Sequence, residues 1–315
     1  LSMKIGYFAD GPWSHNAFNA LIKMEGIEIV FITPRYDSQD QVLKSYSEEL
    51  NIPYLVHENV NSKEFISEIS QYSADLFISM SFNQILKREI IKFPRLGFIN
   101  CHAGDLPFYR GRNPLNWVLI NDEKKFGVTV HDVDEGIDTG DIILKKVYPI
   151  TDLDDYQTLL ERAVEACSNV LCEAVALIQK NKVNYISQKS IHPVGLYCGM
   201  RTAGDECLNF NQGSRFIFNF IRAITLPGPA ARVILQGKEI AILSSKIIDD
   251  APSYIGISGQ VLNRNQEGVI VKTGDSTLLL TTVADIDSEG MICNIRIPAF
   301  SPGSRLEYKS GHENR

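Results

Sequence analysis

The chain has 315 residues, of which 44% are hydrophobic and 22% are charged, both close to the averages for globular proteins. This composition excludes a largely disordered chain, a collagen-like repeat and a coiled coil, and the length indicates about two domains. The formal net charge of −7 argues against a general nucleic-acid-binding protein. No apolar run reaches the roughly 18 residues of a membrane span.

Six cysteines are distributed along the chain without a Cys-x-x-Cys pair. The sequence therefore offers neither a zinc ribbon nor a thioredoxin-like redox motif. We expect reduced thiols and a cytoplasmic protein, because disulfides are rare in that compartment.

The first two hundred residues alternate between segments that predict short strands and segments that predict helices. Strands are predicted at residues 4–9, 28–32, 54–56, 76–79 and 97–101, and helices at residues 16–24, 47–50, 63–71 and 85–91. A loop is predicted at residues 10–15, between the first strand and the first helix. This alternation indicates βαβ units and a mostly parallel sheet.

The later part of the chain changes from this pattern to a β-rich one. Two strands at residues 128–131 and 142–148 flank a Gly-rich turn, and the strong apolar periodicity of residues 156–178 predicts a long amphipathic helix packed across the sheet. After about residue 205, a helix with Ser214 as its cap is predicted. Short strands then follow at residues 232–235, 240–247, 258–262, 269–273 and 277–282, which indicates a small barrel or sandwich.

Asn100 and His102 stand at the end of the fifth predicted strand. Residues two apart share one face of a strand, and open α/β sheets bind ligands at the carboxyl ends of their strands. The pair would place a hydrogen-bond donor beside an imidazole. A polar pair that merely satisfies the strand end explains the two residues equally well.

Two loops add groups that suit chemistry. The loop after residue 102 contains three residues that constrain its backbone, and Arg110 and Arg112 flank its last glycine; arginine suits carboxylates and phosphates. Residues 132–141 are rich in carboxylates but lack the spacing and the closing glutamate of a calcium loop, so no metal site is predicted. A carboxylate from this turn would orient His102 and favour its charged form. Asn, His and Asp together can stabilise an oxyanion and move a proton.

Three separated motifs resemble the folate-dependent formyltransferase family, which includes methionyl-tRNA formyltransferases, glycinamide ribonucleotide formyltransferases and sugar N-formyltransferases. The motifs are Asn100-x-His102 with Leu106-Pro107-x-Tyr109-Arg110-Gly111, Gly127-Val128-Thr129, and Asp138-Thr139-Gly140. Residues 110–117 are most similar to the sugar N-formyltransferases, in particular to the bifunctional enzyme that modifies 4-amino-4-deoxyarabinose. The resemblance is dense between residues 97 and 143 and thin beyond 205. It departs at residues 103–105, where the chain has Ala-Gly-Asp in place of Ser-Leu-Leu.

The resemblance implies roles for individual residues. Asn100 would donate to the oxyanion, His102 would carry the proton, and Asp138 would orient His102. Contacts to the folate are implied for Gln84, Ile85, Leu86, Arg112, Asp134, Glu135, Gly136, Ile137 and Asp138. Contacts to the acceptor are predicted for Trp13, His15, Asn16, Gly104 and Arg110, with an ordinary βα loop as the alternative for the first three.

The implied fold is α/β: a Rossmann-like, mostly parallel sheet with helices on both faces in residues 1–204, and a small β-rich, OB-like barrel in residues 205–315. The implied function is transfer of a formyl group from N10-formyltetrahydrofolate to the amine of a nucleotide-linked amino sugar. We expect a 4-amino-4,6-dideoxy sugar used in lipopolysaccharide O-antigen or other surface glycans. No metal, nucleic acid or membrane is expected as a partner, and a homodimer is left open.

Two alternative functions remain at this level, a methionyl-tRNA formyltransferase and a formyltetrahydrofolate hydrolase. Residues 205–315 contain 11 basic and 12 acidic residues, and residues 34–50, where the tRNA enzymes tend to carry a basic insertion, contain two basic and four acidic ones. Because phosphate contacts dominate affinity for nucleic acid, this balance disfavours tRNA. A dinucleotide-binding module is weaker still, because no Gly-x-Gly-x-x-Gly follows the first strand.

Overall fold

The structure, a computed structural model, describes residues 2–309, so the end of the predicted second domain, residues 310–315, lies outside the described residues. The chain divides into two units. The first comprises Leu1–Pro114, Lys125–Pro149 and Glu161–Cys198, and the second comprises Leu115–Lys124, Ile150–Leu160 and Gly199–Arg315. The assignment of functional domains to residues 1–204 and 205–315 stays a prediction.

The helices and strands up to residue 198 alternate as expected. In chain order they are β1 (Met3–Ala9), α1 (Gly11–Leu21), β2 (Ile27–Thr33), α2 (Gln41–Leu50), α3 (Lys63–Ser70), β3 (Leu76–Met80), α4 (Arg88–Ile91), β4 (Phe98–His102), β5 (Arg110–Gly111), α5 (Pro114–Ile120), β6 (Lys125–Asp132), β7 (Ile142–Pro149), α6 (Tyr156–Gln179), α7 (Gln188–Ile191) and β8 (Tyr197–Cys198).

Six of these strands form one sheet in the order β2-β1-β3-β4-β6-β7. The first four are parallel, whereas β6 is antiparallel to β4 and to β7. Helices cover both faces of this sheet. The adjacent residues Tyr7 and Phe8 of β1 point to opposite faces, and each contacts a different helix. Tyr7 contacts Phe18 of α1, with ring centroids 5.9 Å apart, and Phe8 contacts Phe65 of α3 at 6.2 Å. The predicted α/β class, with a Rossmann-like sheet, is confirmed.

The remaining elements form an antiparallel sheet after one helix. They are α8 (Ser214–Ile224), β9 (Ala231–Leu235), β10 (Lys238–Ile247), β11 (Val261–Asn265), β12 (Gly268–Lys272), β13 (Thr277–Ile286), β14 (Ile292–Arg296) and β15 (Leu306–Glu307). The strand order is β11-β12-β13-β10-β9-β15, with β14 beside β13. The two edges meet where Gln260 pairs with Arg305 and the N–H of Val261 donates to Ser304 O at 2.8 Å. The sheet therefore curls towards a barrel, as predicted.

Four local predictions are wrong. Residues 11–15 are helical, with Asp10 as the N-cap of α1, and Asp40 Oδ2 accepts from the N–H of Gly11 in the first turn. Residues 54–56 form only a bridge between Tyr54 and Ile32, and the helix predicted at 85–91 is confined to Arg88–Ile91. The N-cap of α8 is Gly213, because Asp275 accepts from the N–H of Ser214.

All six cysteines lie within residues 2–309 and none is paired in a disulfide. Within the same residues, no helix has both the length and the apolar character required to cross a bilayer.

Candidate active site

Asn100 and His102 lie at the carboxyl end of β4, as the sequence predicts. β4 pairs with β3 on one side and with β6 on the other, where Asn100 is opposite His131 and His102 is opposite Thr129. Asn100 Nδ2 lies 3.3 Å from His131 Nε2. The imidazole of His102 is buried. The sheet thus fixes two histidines and one amide at adjoining strand positions.

The Asp138 carboxylate joins this group from the turn between β6 and β7. Its Oδ2 lies 3.6 Å from His102 Nδ1, and its Oδ1 lies 3.4 Å from His131 Nε2. The N–H of Gly111 donates to Oδ2 at 2.9 Å. Burial raises the pKa of Asp138, but His102, His131 and the Gly111 N–H outweigh it and hold that pKa well below its usual range. Asp138 is therefore an ionised acceptor between the two histidines.

The second ring nitrogen of His102 also faces an acceptor. Nε2 lies 2.7 Å from the backbone oxygen of Tyr109, a residue with the positive φ of 56°. Because a carbonyl oxygen only accepts, Nε2 carries a proton in this arrangement. A substrate nitrogen that exchanges a proton at Nε2 must therefore replace the Tyr109 oxygen.

The loop over His102 is held by residues of β6 and β7. Thr129 Oγ1 donates to Gly104 O at 2.7 Å, and Lys145 Nζ donates to Leu106 O at 3.0 Å and pairs with Asp105 at 2.7 Å. Gly104 packs directly on the ring of His102. This contact gives Gly104 a packing function, and its predicted contact with an acceptor stays a prediction.

Arg110, another predicted acceptor contact, is buried and bound inside the protein. Its Nε and Nη2 donate to Gln188 Oε1 at 3.0 and 2.8 Å, and its Nη1 donates to Val194 O at 3.1 Å. The guanidinium also lies over the Tyr197 ring. All three of its nitrogens have protein acceptors, so the geometry favours a structural role for Arg110.

The predicted folate contacts fall on two segments. In the turn before Asp138, Asp134 Oδ1 accepts from the N–H of Gly136 at 3.0 Å and from Thr139 Oγ1 at 2.5 Å. Glu135, Gly136, Ile137 and Arg112 are exposed. In the other segment, Gln84 Oε1 accepts from the N–H of Val60 at 2.9 Å, and Asn61 Nδ2 donates to Ile85 O at 2.8 Å. Ile85 itself is 75% exposed, and Leu86 packs partly against the core.

Trp13 and His15, predicted in a loop, and Asn16, predicted at the start of the helix, all lie in helix α1. His15 Nε2 is 2.7 Å from Asp40 Oδ2, and Asp40 also accepts from the N–H groups of Gly11 and Leu43. Burial opposes these contacts, which nevertheless lower the pKa of Asp40. Asn16 is exposed and lies 3.5 Å from Val164 O. Their contact with an acceptor stays a prediction.

Two residues of the site were missed by the sequence analysis. His131 follows Thr129 by two positions on β6 and so shares its face, which is a signal that could have identified it. Gln188 is separated from Asp138 by 50 residues, and no local pattern marks it. In the part of the chain that the structure describes, no three His, Cys, Asp or Glu side chains are grouped to hold a metal ion.

Among known proteins, the bifunctional polymyxin resistance protein ArnA of Wigglesworthia glossinidia brevipalpis is 33% identical over 269 residues, which is 84% of this chain and 40% of that protein. The methionyl-tRNA formyltransferase of Geobacter sulfurreducens is 31% identical over 267 residues, covering 84% of this chain and 80% of that one.

Among solved structures, the N-formyltransferase of Helicobacter canadensis superimposes with a TM-score of 0.64 at 19% identity, over 89% of this chain and 99% of that one. At this identity the likeness bears on the fold alone. The formyl transferase family model matches residues 3–175, and the model of the formyl transferase C-terminal domain matches residues 201–292. The chain belongs to the formyl transferase family and is a folate-dependent formyl transfer enzyme.

Proposed function

We propose that this enzyme moves a formyl group from N10-formyltetrahydrofolate to the amine of a nucleotide-linked amino sugar of the 4-amino-4,6-dideoxy type. The product would serve surface-polysaccharide synthesis in the cytoplasm. The convergence of Asn100, His102 and Asp138 at the end of β4 supports the transfer step. The acidic character of residues 34–50 supports the choice of a sugar over tRNA.

In the proposed reaction the unprotonated amine attacks the formyl carbon and gives a tetrahedral oxyanion. Asn100 Nδ2 donates to this oxyanion, an interaction that is strongest when the charge develops. For this step the Tyr109 oxygen leaves Nε2, and the one ring proton of neutral His102 lies on Nδ1, towards Asp138. Nε2 then takes the proton from the attacking nitrogen and delivers it to N10 of the folate, whose bond to the formyl carbon breaks. Asp138 stays ionised and stabilises the charged form of His102 while it carries the proton.

The folate donor is proposed to lie against residues 84–86 and the turn 134–138, with Arg112 nearby. Ile85 and Ile137 are 75% and 59% exposed. Exposed apolar side chains beside convergent polar backbone suit a flat heterocycle. The structure of the Helicobacter canadensis N-formyltransferase was determined with folinic acid and dTDP-3-aminofucose, which is consistent with a folate and a nucleotide sugar here.

The charge of the protein bears on the choice of acceptor. In residues 34–50, Asp40 is the N-cap of α2, accepts from the Gly11 N–H in the first turn of α1 and pairs with His15. Carboxylates at these helix N-termini occupy the positions that would otherwise attract phosphates. A tRNA backbone would gain little from this acidic segment or from residues 205–315, which carry no excess positive charge.

Methionyl-tRNA is the second candidate acceptor, because the relative from Geobacter sulfurreducens, covered over 80% of its length, is a methionyl-tRNA formyltransferase. Formyltetrahydrofolate hydrolysis, with water as the acceptor, is distinguished from both by its product, formate.

Steady-state kinetics with both acceptors tests the proposal. The wild-type enzyme and the His102→Asn variant are supplied with N10-formyltetrahydrofolate and either initiator methionyl-tRNA or a panel of dTDP-, UDP- and GDP-linked 4-amino sugars. We expect a higher kcat/KM for one of the sugars, at both low and physiological salt, and a rate that rises with pH as the amine loses its proton. A higher kcat/KM for tRNA would overturn the choice of acceptor, and formate release without any acceptor product would establish the hydrolase.

A further inference from the structure

Gln188, the first residue of α7, is 1% exposed and uses both ends of its amide. Its Nε2 donates to the backbone oxygen of Asp138 at 2.9 Å and to that of Gly140 at 2.7 Å. Its Oε1 accepts from Nε and Nη2 of Arg110. Every donor and acceptor of the side chain is therefore satisfied, which is how a buried amide stabilises one arrangement of its surroundings.

The two carbonyls that Gln188 binds belong to a constrained piece of backbone. Asp138 has a φ of 53°, in the left-handed region that residues other than glycine rarely adopt. A Cβ on Gly140 would lie 1.8 Å from Asp132 O, so the chain passes closely against β6 at that point. The bonds from Gln188 span this turn at its two ends, at residues 138 and 140, and so fix the direction in which the Asp138 carboxylate leaves the backbone.

Arg110 and Gly111 complete the same support. Arg110 holds the Gln188 amide, and it is itself anchored by Val194 O and the Tyr197 ring. The next residue, Gly111, donates its N–H to Asp138 Oδ2. The dipeptide of β5 therefore binds the Asp138 carboxylate directly and the Asp138 backbone through Gln188.

We propose, building on the roles proposed for Asp138 and His102, that Gln188 is a positioning residue that sets the Asp138 carboxylate against His102. Gln188 contacts no reacting atom. It acts through the backbone oxygens of Asp138 and Gly140, and Arg110 orients its amide so that both N–H groups point to those oxygens. A side chain of equal size without the two donors would release the turn.

Gln188→Glu separates this role from packing, because it keeps an acceptor for Arg110 and removes both donors to the turn. Gln179→Glu is the control for the change of amide to carboxylate at an exposed position, since Gln179 Nε2 also donates to two backbone oxygens, those of Glu25 and Gly26, at 3.1 and 3.2 Å. With the acceptor that the wild type formylates best, we expect Gln188→Glu to lower kcat at least about tenfold with KM nearly unchanged. Gln179→Glu should keep kcat within about twofold, since Gln179 lies at the far end of α6.

A double-mutant comparison tests whether the effect passes through Asp138. In an Asp138→Asn background, Gln188→Glu should cost less than about twofold in kcat, because the group it positions is already lost. Equal losses in both backgrounds, or a folded Gln188→Glu enzyme with wild-type kcat, would overturn the proposal. Should Gln188→Glu fail to fold, Arg110→Lys, which retains the Gln188 amide and loosens its orientation, replaces it in the same comparison.

A readout without turnover separates this inference from the proposed function. In labelled protein at one fixed pH, the imidazole signals of His102 should move in Gln188→Glu relative to wild type, because the Asp138 carboxylate changes its position against the ring, and should be unchanged in Gln179→Glu. Unchanged His102 signals in folded Gln188→Glu protein overturn the positioning role even if no acceptor is ever formylated. If the wild-type enzyme formylates none of the nucleotide-linked amino sugars, that result overturns only the proposed function.

Discussion

A Cβ atom on Gly104 would lie 2.6 Å from His102 Nε2 and 2.5 Å from the backbone oxygen of Tyr109. The loop after β4 therefore turns back over the imidazole at Gly104, where only glycine leaves room for the ring. Thr129 fixes the Gly104 carbonyl from the neighbouring strand, so the loop cannot easily move away. The position of His102 thus depends on the absence of a side chain two residues along.

Replacement of Gly104 by Ala is expected to lower kcat at least about tenfold while the protein still folds. The added methyl group must displace the His102 ring or the Tyr109 oxygen, and misplacement of a catalytic group by about 1 Å can cost a hundredfold in rate. Steady-state kinetics measures the effect, with Gly199→Ala as control, because a Cβ there meets nothing within 4 Å. Equal kcat values for the two variants would contradict the packing explanation.

The three polar groups at the end of β4 are expected to act in the chemical step. His102→Asn, Asn100→Ala and Asp138→Ala should each reduce turnover at least about a hundredfold, since proton transfer and oxyanion donors each contribute on that order. Circular dichroism should show that each variant is folded. A folded His102→Asn enzyme with full activity would remove the mechanism proposed above.

His131 is expected to support the other two rather than to carry the proton. It is 2% exposed, and its Nε2 lies close to both Asn100 Nδ2 and Asp138 Oδ1. His131→Leu should therefore lower kcat about tenfold, less than His102→Asn, because the orientation of two neighbours is lost and no transferred proton is involved. Comparison of the two variants at saturating substrates measures the difference. A larger loss for His131→Leu would assign the proton to His131 instead.

The strand spacing alone was enough to predict that Asn100 and His102 share one face of the sheet, because both lie on one strand and period two determines their face. His131 required the register between β4 and β6, which brings it opposite Asn100. The contact of Gln188 with the Asp138 backbone could not be predicted, because it depends on how the chain folds after α6. The start of α1 was predicted five residues too late, and Asp40, which accepts from the Gly11 N–H in its first turn, lies 29 residues away. Contacts that are distant in sequence explain why His131 and Gln188 were missed.

Two carboxylates of the β6–β7 turn should affect stability with opposite signs. Burial and the nearby Asp141 raise the pKa of Asp132 to about 6, against weaker opposition from His131 and Lys92. The pKa of Asp138 is held well below its usual range. An Asp that is harder to ionise in the folded state costs stability as pH rises through about 4 to 6, whereas an Asp that is easier to ionise adds stability as pH rises to about 4.

Thermal unfolding of Asp132→Asn, Asp138→Asn and wild type at pH 4 and pH 8 measures both effects. Relative to wild type, Asp132→Asn should gain stability between pH 4 and pH 8, on the order of 1 kcal/mol after allowance for solvent screening, which is roughly 2–4 °C in Tm for a domain of this size. Asp138→Asn should be destabilised at pH 8, and the loss should shrink in acid because Asp138 of the unfolded wild-type chain then begins to take up its proton. The comparison carries its own control, since each variant replaces one carboxylate of the same turn by an amide of equal size. If both variants shifted in the same direction with pH, the opposite environments assigned to Asp132 and Asp138 would be wrong.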